Sequence, residues 1–173
     1  GMTTGELGTW LALIIGLCGA IGVFGGAILA DKLAARDKRW YVWLSALVGF
    51  ICVPFMVAVY LVGNPYMALS LSVVPGLLHN VYLGITIATT HGLVGVRMRA
   101  VSSAIFFFIL NIIGLGMGPW AVGMLSDYLA PTLGNDSLRY AMLYLIPVVM
   151  FWSSCHFYMA GKTLREELEA APD

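Results

Sequence analysis

The 173 residues are 60% hydrophobic and only 10% charged, with a mean hydropathy of +0.90. A soluble domain carries roughly 25% charged residues, so composition excludes the ordinary soluble classes and points to an integral, all-α membrane protein. Nine Lys and Arg against nine Asp and Glu leave no net charge, so nothing favours nucleic acid as a partner. The lipid bilayer is the partner that composition demands.

The chain opens Gly1-Met2 and stays polar to Thr9, without the basic n-region or cleavage site of a signal peptide. A spanning helix needs about 20 mostly apolar residues. Five segments qualify, at 9–30, 40–62, 66–90, 101–126 and 138–161, and residues 1–173 read as one transmembrane domain. The short connections between them hold Gly, Pro, Asn, Asp and basic residues, as turns do.

The first span repeats Gly16, Gly19, Gly22, Gly25 and Gly26 every three or four residues, and Gly22 and Gly26 make a GxxxG. Small residues let another helix backbone come close, so this face is either static packing or a sliding contact. The span runs into "GGAILADKLAARDKRW", where six of the chain's charged residues lie between Asp31 and Arg39.

The third span carries a polar stripe of Ser72, Gly76, His79, Tyr82, Thr86 and Thr90 on one face, with Pro75 removing a backbone donor. Polar residues within a span face a bundle interior or a water-filled cavity. The stripe is therefore a cavity lining, or else His79 and Asn80 bond to neighbouring helices. In the fourth span Ser103, Phe107, Asn111, Gly114 and Gly118 share a face, and Gly118-Pro119 predicts a hinge or kink. "GLGMG" there imitates a dinucleotide loop but follows no strand. His156 reads as a packed or snorkelling residue of the fifth span. Asn135-Asp136-Ser137 matches a glycosylation pattern, and residues 162–173 read as a frayed extension of the last helix.

Lys32, Arg36, Lys38, Arg39, Arg97, Arg99, Lys162 and Arg165 fall on one side of the membrane and only Arg139 on the other. The positive-inside rule makes the first side cytoplasmic, with the beginning of this piece outside and its C-terminus inside. Five spans with an outside start suggest that at least one span precedes them. Cys18, Cys52 and Cys155 are isolated in apolar runs and form neither a disulfide framework nor a metal site. No nucleophile, phosphate loop or zinc motif appears, and no carboxylate lies deep in a span. An enzyme is disfavoured, and no cofactor or metal is expected. An enzyme built on His79, or a stand-alone scaffold or assembly protein, are the competing readings.

"GGAILADKLAARDKRW" resembles the cytoplasmic loop signature of the major facilitator superfamily: Gly, Asp, then a basic run. "VRMRAVSSAIFFFILNIIGLGMGPWAVGMLSD" followed by "SLRYAM" resembles spans ten to twelve of its Spinster-like members, and residues 1–40 resemble the connection before span eight together with that span. The resemblance implies spans eight to twelve of a twelve-helix fold, a missing N-terminal half, and secondary transport of a small organic or lipid-like solute in a bacterial inner (plasma) membrane. It implies a substrate cavity at His79, Tyr82, Thr86, Phe107 and Asn111. It also implies a gate latch in which Asp31 pairs with Arg36, Arg39, Arg97 or Arg99.

Overall fold

The computed structural model describes residues 2–172, and every element among them is helical. Four stretches are long and apolar enough to cross a membrane: Thr4–Ala34, Trp40–Leu61, Pro65–Leu93 and Val96–Ala160. The last has 65 residues. Straight, it would reach about 98 Å, three times the bilayer's hydrocarbon thickness. It turns back at Gly134, whose φ of 52° is the one positive value among the described residues. The two limbs pack side by side, and the Ser126 and Ser137 hydroxyls meet at 3.2 Å next to the turn. A side chain at Gly134 would be strained, so Gly134→Ala is expected to cost about 1–2 kcal/mol, read as a lowered Tm in detergent.

The helices are α1 (Thr4–Ala34), α2 (Trp40–Leu61), α3 (Pro65–Leu78), α4 (Val81–Leu93), α5 (99–133), α6 (Ser137–Ala160) and α7 (Leu164–Glu169). Their ends differ from the apolar boundaries for local reasons. α1 begins five residues before 9 because Thr3 and Glu6 form a capping box: the Thr3 amide donates to the Glu6 carboxylate at 2.8 Å, and the Glu6 amide donates back to the Thr3 hydroxyl at 3.3 Å. Asn64 caps α3, accepting from the Tyr66 amide at 2.9 Å, with Pro65 in the first turn where no donor is needed. α5 runs on past 126 to Leu133, so Asp127 lies in a helix and the expected turn shrinks to its last residues. Residues 162–172 do not extend the last helix. α7 is separate, with Leu164 buried and Leu168 against Gly92 of α4.

α2 is the central post. Phe50 meets Phe151 of α6 edge to face at 5.5 Å, and Trp43 stacks on Tyr158 at 6.3 Å. Gly49 and Gly161 sit so close to Ser154 and the Trp43 indole that neither has room for a side chain. Ala30, Leu44, Val48, Val81 and Ile85 fill the core between α1, α2 and α4. Hydrophobic burial drives nothing between helices in lipid, so these close contacts carry the assembly.

Candidate functional site: a broken helix and a groove

The helix of the third span is interrupted for two residues that keep right-handed helical dihedrals, His79 at φ −59°, ψ −39° and Asn80 at φ −74°, ψ −8°. α3 ends at Leu78 and α4 starts at Val81, with His79 and Asn80 forming the turn between them. Pro75 weakens the ladder leading into the break. The glycine face of α1 seats it. A side chain at Gly22 would run into the Leu77 carbonyl, one at Gly26 would lie 2.6 Å from Val81 Cγ1, and one at Gly19 would lie 3.1 Å from Asn80 Nδ2. The GxxxG is thus a contact with the break itself.

The stripe hydroxyls are spent locally. Ser72 donates to the Ala68 carbonyl at 2.8 Å, Thr86 to Tyr82 at 2.7 Å and Thr90 to Thr86 at 2.7 Å. This satisfies a hydroxyl within its own helix and leaves His79 and Tyr82 as the polar rings that face outward from the break. Their centroids lie 5.4 Å apart, and Tyr82 meets Phe157 of α6 at 6.4 Å.

α5 is irregular at the same depth. Residues Leu110–Met117 form a π-helical segment, and Gly118 donates to the Ile113 carbonyl, five residues back. Pro119 explains this. It has no N–H for an α-helical bond and its ring crowds the carbonyl four residues earlier, so the chain widens instead of kinking. α1 carries a second such segment, Ala12–Cys18. π segments are rare and concentrate at functional sites.

α5 meets α4 near one end, where His91 Nε2 lies 2.6 Å from the Ser103 hydroxyl, and packs along α6 towards the other. Between these contacts it stands away from the bundle. Two cavities, of about 470 Å³ and about 940 Å³, open there end to end. Both are lined by His79, Gly114, Val149 and Met150, so they form one groove.

His79, Tyr82 and Thr86 line this groove together. Phe107 and Asn111 do not. The groove takes Phe106, Ile109, Leu110 and Ile113 from α5, while Phe107 and Asn111 lie exposed, and Asn111 Nδ2 donates to the Phe107 carbonyl at 2.6 Å. The five residues expected in one cavity therefore occupy two surfaces. Helical spacing fixes neighbours on a face but not which way that face turns.

The expected latch is absent from this conformation. Asp31 accepts from the Tyr41 hydroxyl at 3.1 Å, and the salt bridges among the described residues are Arg139–Asp136 and Arg165–Glu169. Arg39 packs its guanidinium over the Trp43 ring at 5.8 Å, and Lys38 lies over Tyr41 at 5.9 Å. Arg36, Arg97 and Arg99 are exposed. The aromatic pair just beyond the turn competes for its cations, a signal visible in "KRWYVW". Arg97→Ala is expected to leave stability within about 0.5 kcal/mol, measured by thermal unfolding in detergent. Gly118 and Pro119 follow the π segment without a kink, and Gly22 and Gly26 lie in the seam described above. No group of three or more His, Cys, Asp or Glu among the described residues could hold a metal ion.

The chain is 31% identical over 168 residues, 97% of its length, to an MFS-type efflux pump of Mycolicibacterium smegmatis. That match supports membership of the major facilitator superfamily. The chain spans 39% of the pump's own length. No family model matches it, and no solved structure does. The all-α chain is an integral membrane protein whose basic turns, after α1, before α5 and after α6, collect at one end of the bundle. The chain thus combines an interrupted helix, two π segments and an open apolar groove in a bundle with few charges.

Proposed function

We infer that this chain is part of an alternating-access secondary transporter that moves a small organic or lipid-like solute. It corresponds to spans eight to twelve of a Spinster-like facilitator, with the basic end of the bundle in the cytoplasm of a bacterial cell. Two halves rock about a site near the bilayer midplane, where broken helices are common. The similarity to an efflux pump supports export, and transport without bond-making makes the chain no enzyme.

The observation that carries this reading is Asn111. It is exposed on α5 within an apolar span. An amide facing hydrocarbon is costly, and such residues face a protein interior or a water-filled path. Asn111 and Phe107 are therefore the substrate-facing pair, on the surface turned to the missing N-terminal half. His79 stands behind them at the break. Asp31 exchanges its Tyr41 hydroxyl for one of the nearby arginines when the halves move, a bistable contact of the kind that switches use.

The test is efflux by the full-length protein in proteoliposomes. Asn111→Leu keeps the volume and removes the amide. Losing one hydrogen bond to substrate, about 0.5–1.5 kcal/mol, slows transport roughly two- to tenfold. Unchanged transport of every solute tested removes Asn111 from the site.

A further inference from the structure

What α5 can offer a solute depends on which of its polar atoms are already used. Asn111 Nδ2 and the Phe107 carbonyl oxygen lie 2.6 Å apart. A carbonyl only accepts, so the atom facing it is the donor, and the amide stands one way round. That leaves Asn111 Oδ1, an acceptor without a partner among the described residues, as the free oxygen of an exposed side chain.

The hydroxyls of the helix are spent. Ser102 donates to the Arg99 carbonyl at 2.9 Å and Thr132 to the Leu129 carbonyl at 2.9 Å, while Ser103 pairs with His91 and Ser126 with Ser137. No Lys, Arg or His occurs between residues 100 and 133. The other donors, the Trp120 indole and the Tyr128 hydroxyl, come only after Pro119. Beside Asn111, the free polar chemistry of α5 is therefore that of an acceptor.

The acceptor stands next to an aromatic face. Phe107 is 40% exposed and meets Phe106 edge to face at 5.4 Å. Such a face attracts a cation and repels an anion. At the end of α5 away from the basic turns, Asp127 is exposed and forms no salt bridge among the described residues. A carboxylate would meet only acceptors and ring faces here and lose its hydrogen bonds. A quaternary ammonium would satisfy the ring and leave Oδ1 unpaired.

We propose that the solute is an amphiphile with an N–H-bearing ammonium head, a protonated primary or secondary amine, which donates to Asn111 Oδ1 with its charge against the Phe107 ring. This rests on the reading of Asn111 and Phe107 as the substrate-facing pair and names what that pair recognises. The Asp127 carboxylate then draws the head along α5, away from Arg97 and Arg99.

The experiment is a titration of the full-length protein in nanodiscs, followed by tryptophan fluorescence against empty nanodiscs. Three amphiphiles of one chain length are compared: dodecylamine, dodecyltrimethylammonium and dodecanoate. The expected result is that dodecylamine binds roughly tenfold more tightly than the quaternary compound, the effect of one charge-assisted hydrogen bond, and that dodecanoate binds most weakly. Asn111→Leu brings the two cations within about twofold of each other. Asn111→Asp keeps an oxygen in place and keeps the preference. Equal binding of dodecylamine and either other compound by the parent protein overturns the proposal, as does a preference that survives Asn111→Leu. The parent's ranking decides even where a variant does not fold. Proteoliposome transport of a wider solute set separates this from the functional reading. A protein that shows the ranking but transports nothing keeps the amine site and loses the function. One that transports without the ranking does the reverse.

Discussion

Gly22→Leu is expected to destabilise the bundle by about 1–3 kcal/mol or more, whereas Gly25→Leu, three residues on, is expected to be neutral or slightly stabilising. The two glycines sit on the same helix. A side chain at Gly22 would enter the space of the Leu77 carbonyl, a backbone atom that cannot rotate away. Accommodation requires α1 to separate from α3, and that opens the seam on which the His79-Asn80 break rests. Gly25 has nothing within 4 Å of where its side chain would start, so leucine there only exchanges a poor helix former for a good one, worth up to about 1 kcal/mol. Thermal unfolding in detergent, followed by tryptophan fluorescence, reads both. Equal stability of the two variants would show that the α1–α3 seam is not close-packed. If Gly22→Leu lowers transport while Gly25→Leu leaves it unchanged, the seam also belongs to the working cycle.

This contrast marks what pattern reading can and cannot resolve. Five glycines at a three-to-four spacing announce a close-packing face, and Gly22 and Gly26 are indeed where α3 and α4 touch α1. Gly16 and Gly25, in the same run, meet nothing within 4 Å, because the partner is narrow and broken. Apolar length does not show the interruption at His79-Asn80: both residues sit in an apolar window, and only Pro75 hints at a weakened ladder. Asn111 is legible as the polar residue of its span. Its separation from His79 is not, because spacing puts Asn111 and Phe107 on one face of α5 but does not say which way that face turns. The Tyr41 hydroxyl displaced the arginines as partner of Asp31 for a related reason. Charge complementarity suggests pairs, whereas an aromatic hydroxyl in the first turn of the next helix is simply nearer. Exposed ion pairs are worth only about 0–1 kcal/mol, so little energy opposes that substitution.

Pro119→Ala is expected to raise the melting temperature and to lower transport. Alanine restores an N–H at position 119 and removes the ring that crowds the carbonyl of Leu115. A proline within a helix costs about 3 kcal/mol relative to alanine, and the π segment recovers only part of that by bonding across five residues, as Gly118 does to Ile113. Relaxation to a regular α-helix rewinds Leu110–Met117. The half of α5 that carries Phe107 and Asn111 then rotates relative to the half packed along α6 beyond Pro119, which is fixed by contacts such as Ser126 with Ser137. The more stable helix therefore presents the wrong face, and stability and activity move in opposite directions. Thermal unfolding and proteoliposome efflux on the same preparation decide it. A variant that is both more stable and fully active would mean that the π segment merely accommodates a proline. A variant less stable than the parent would mean that Pro119 is held by packing, and the account of the widened turn would be wrong.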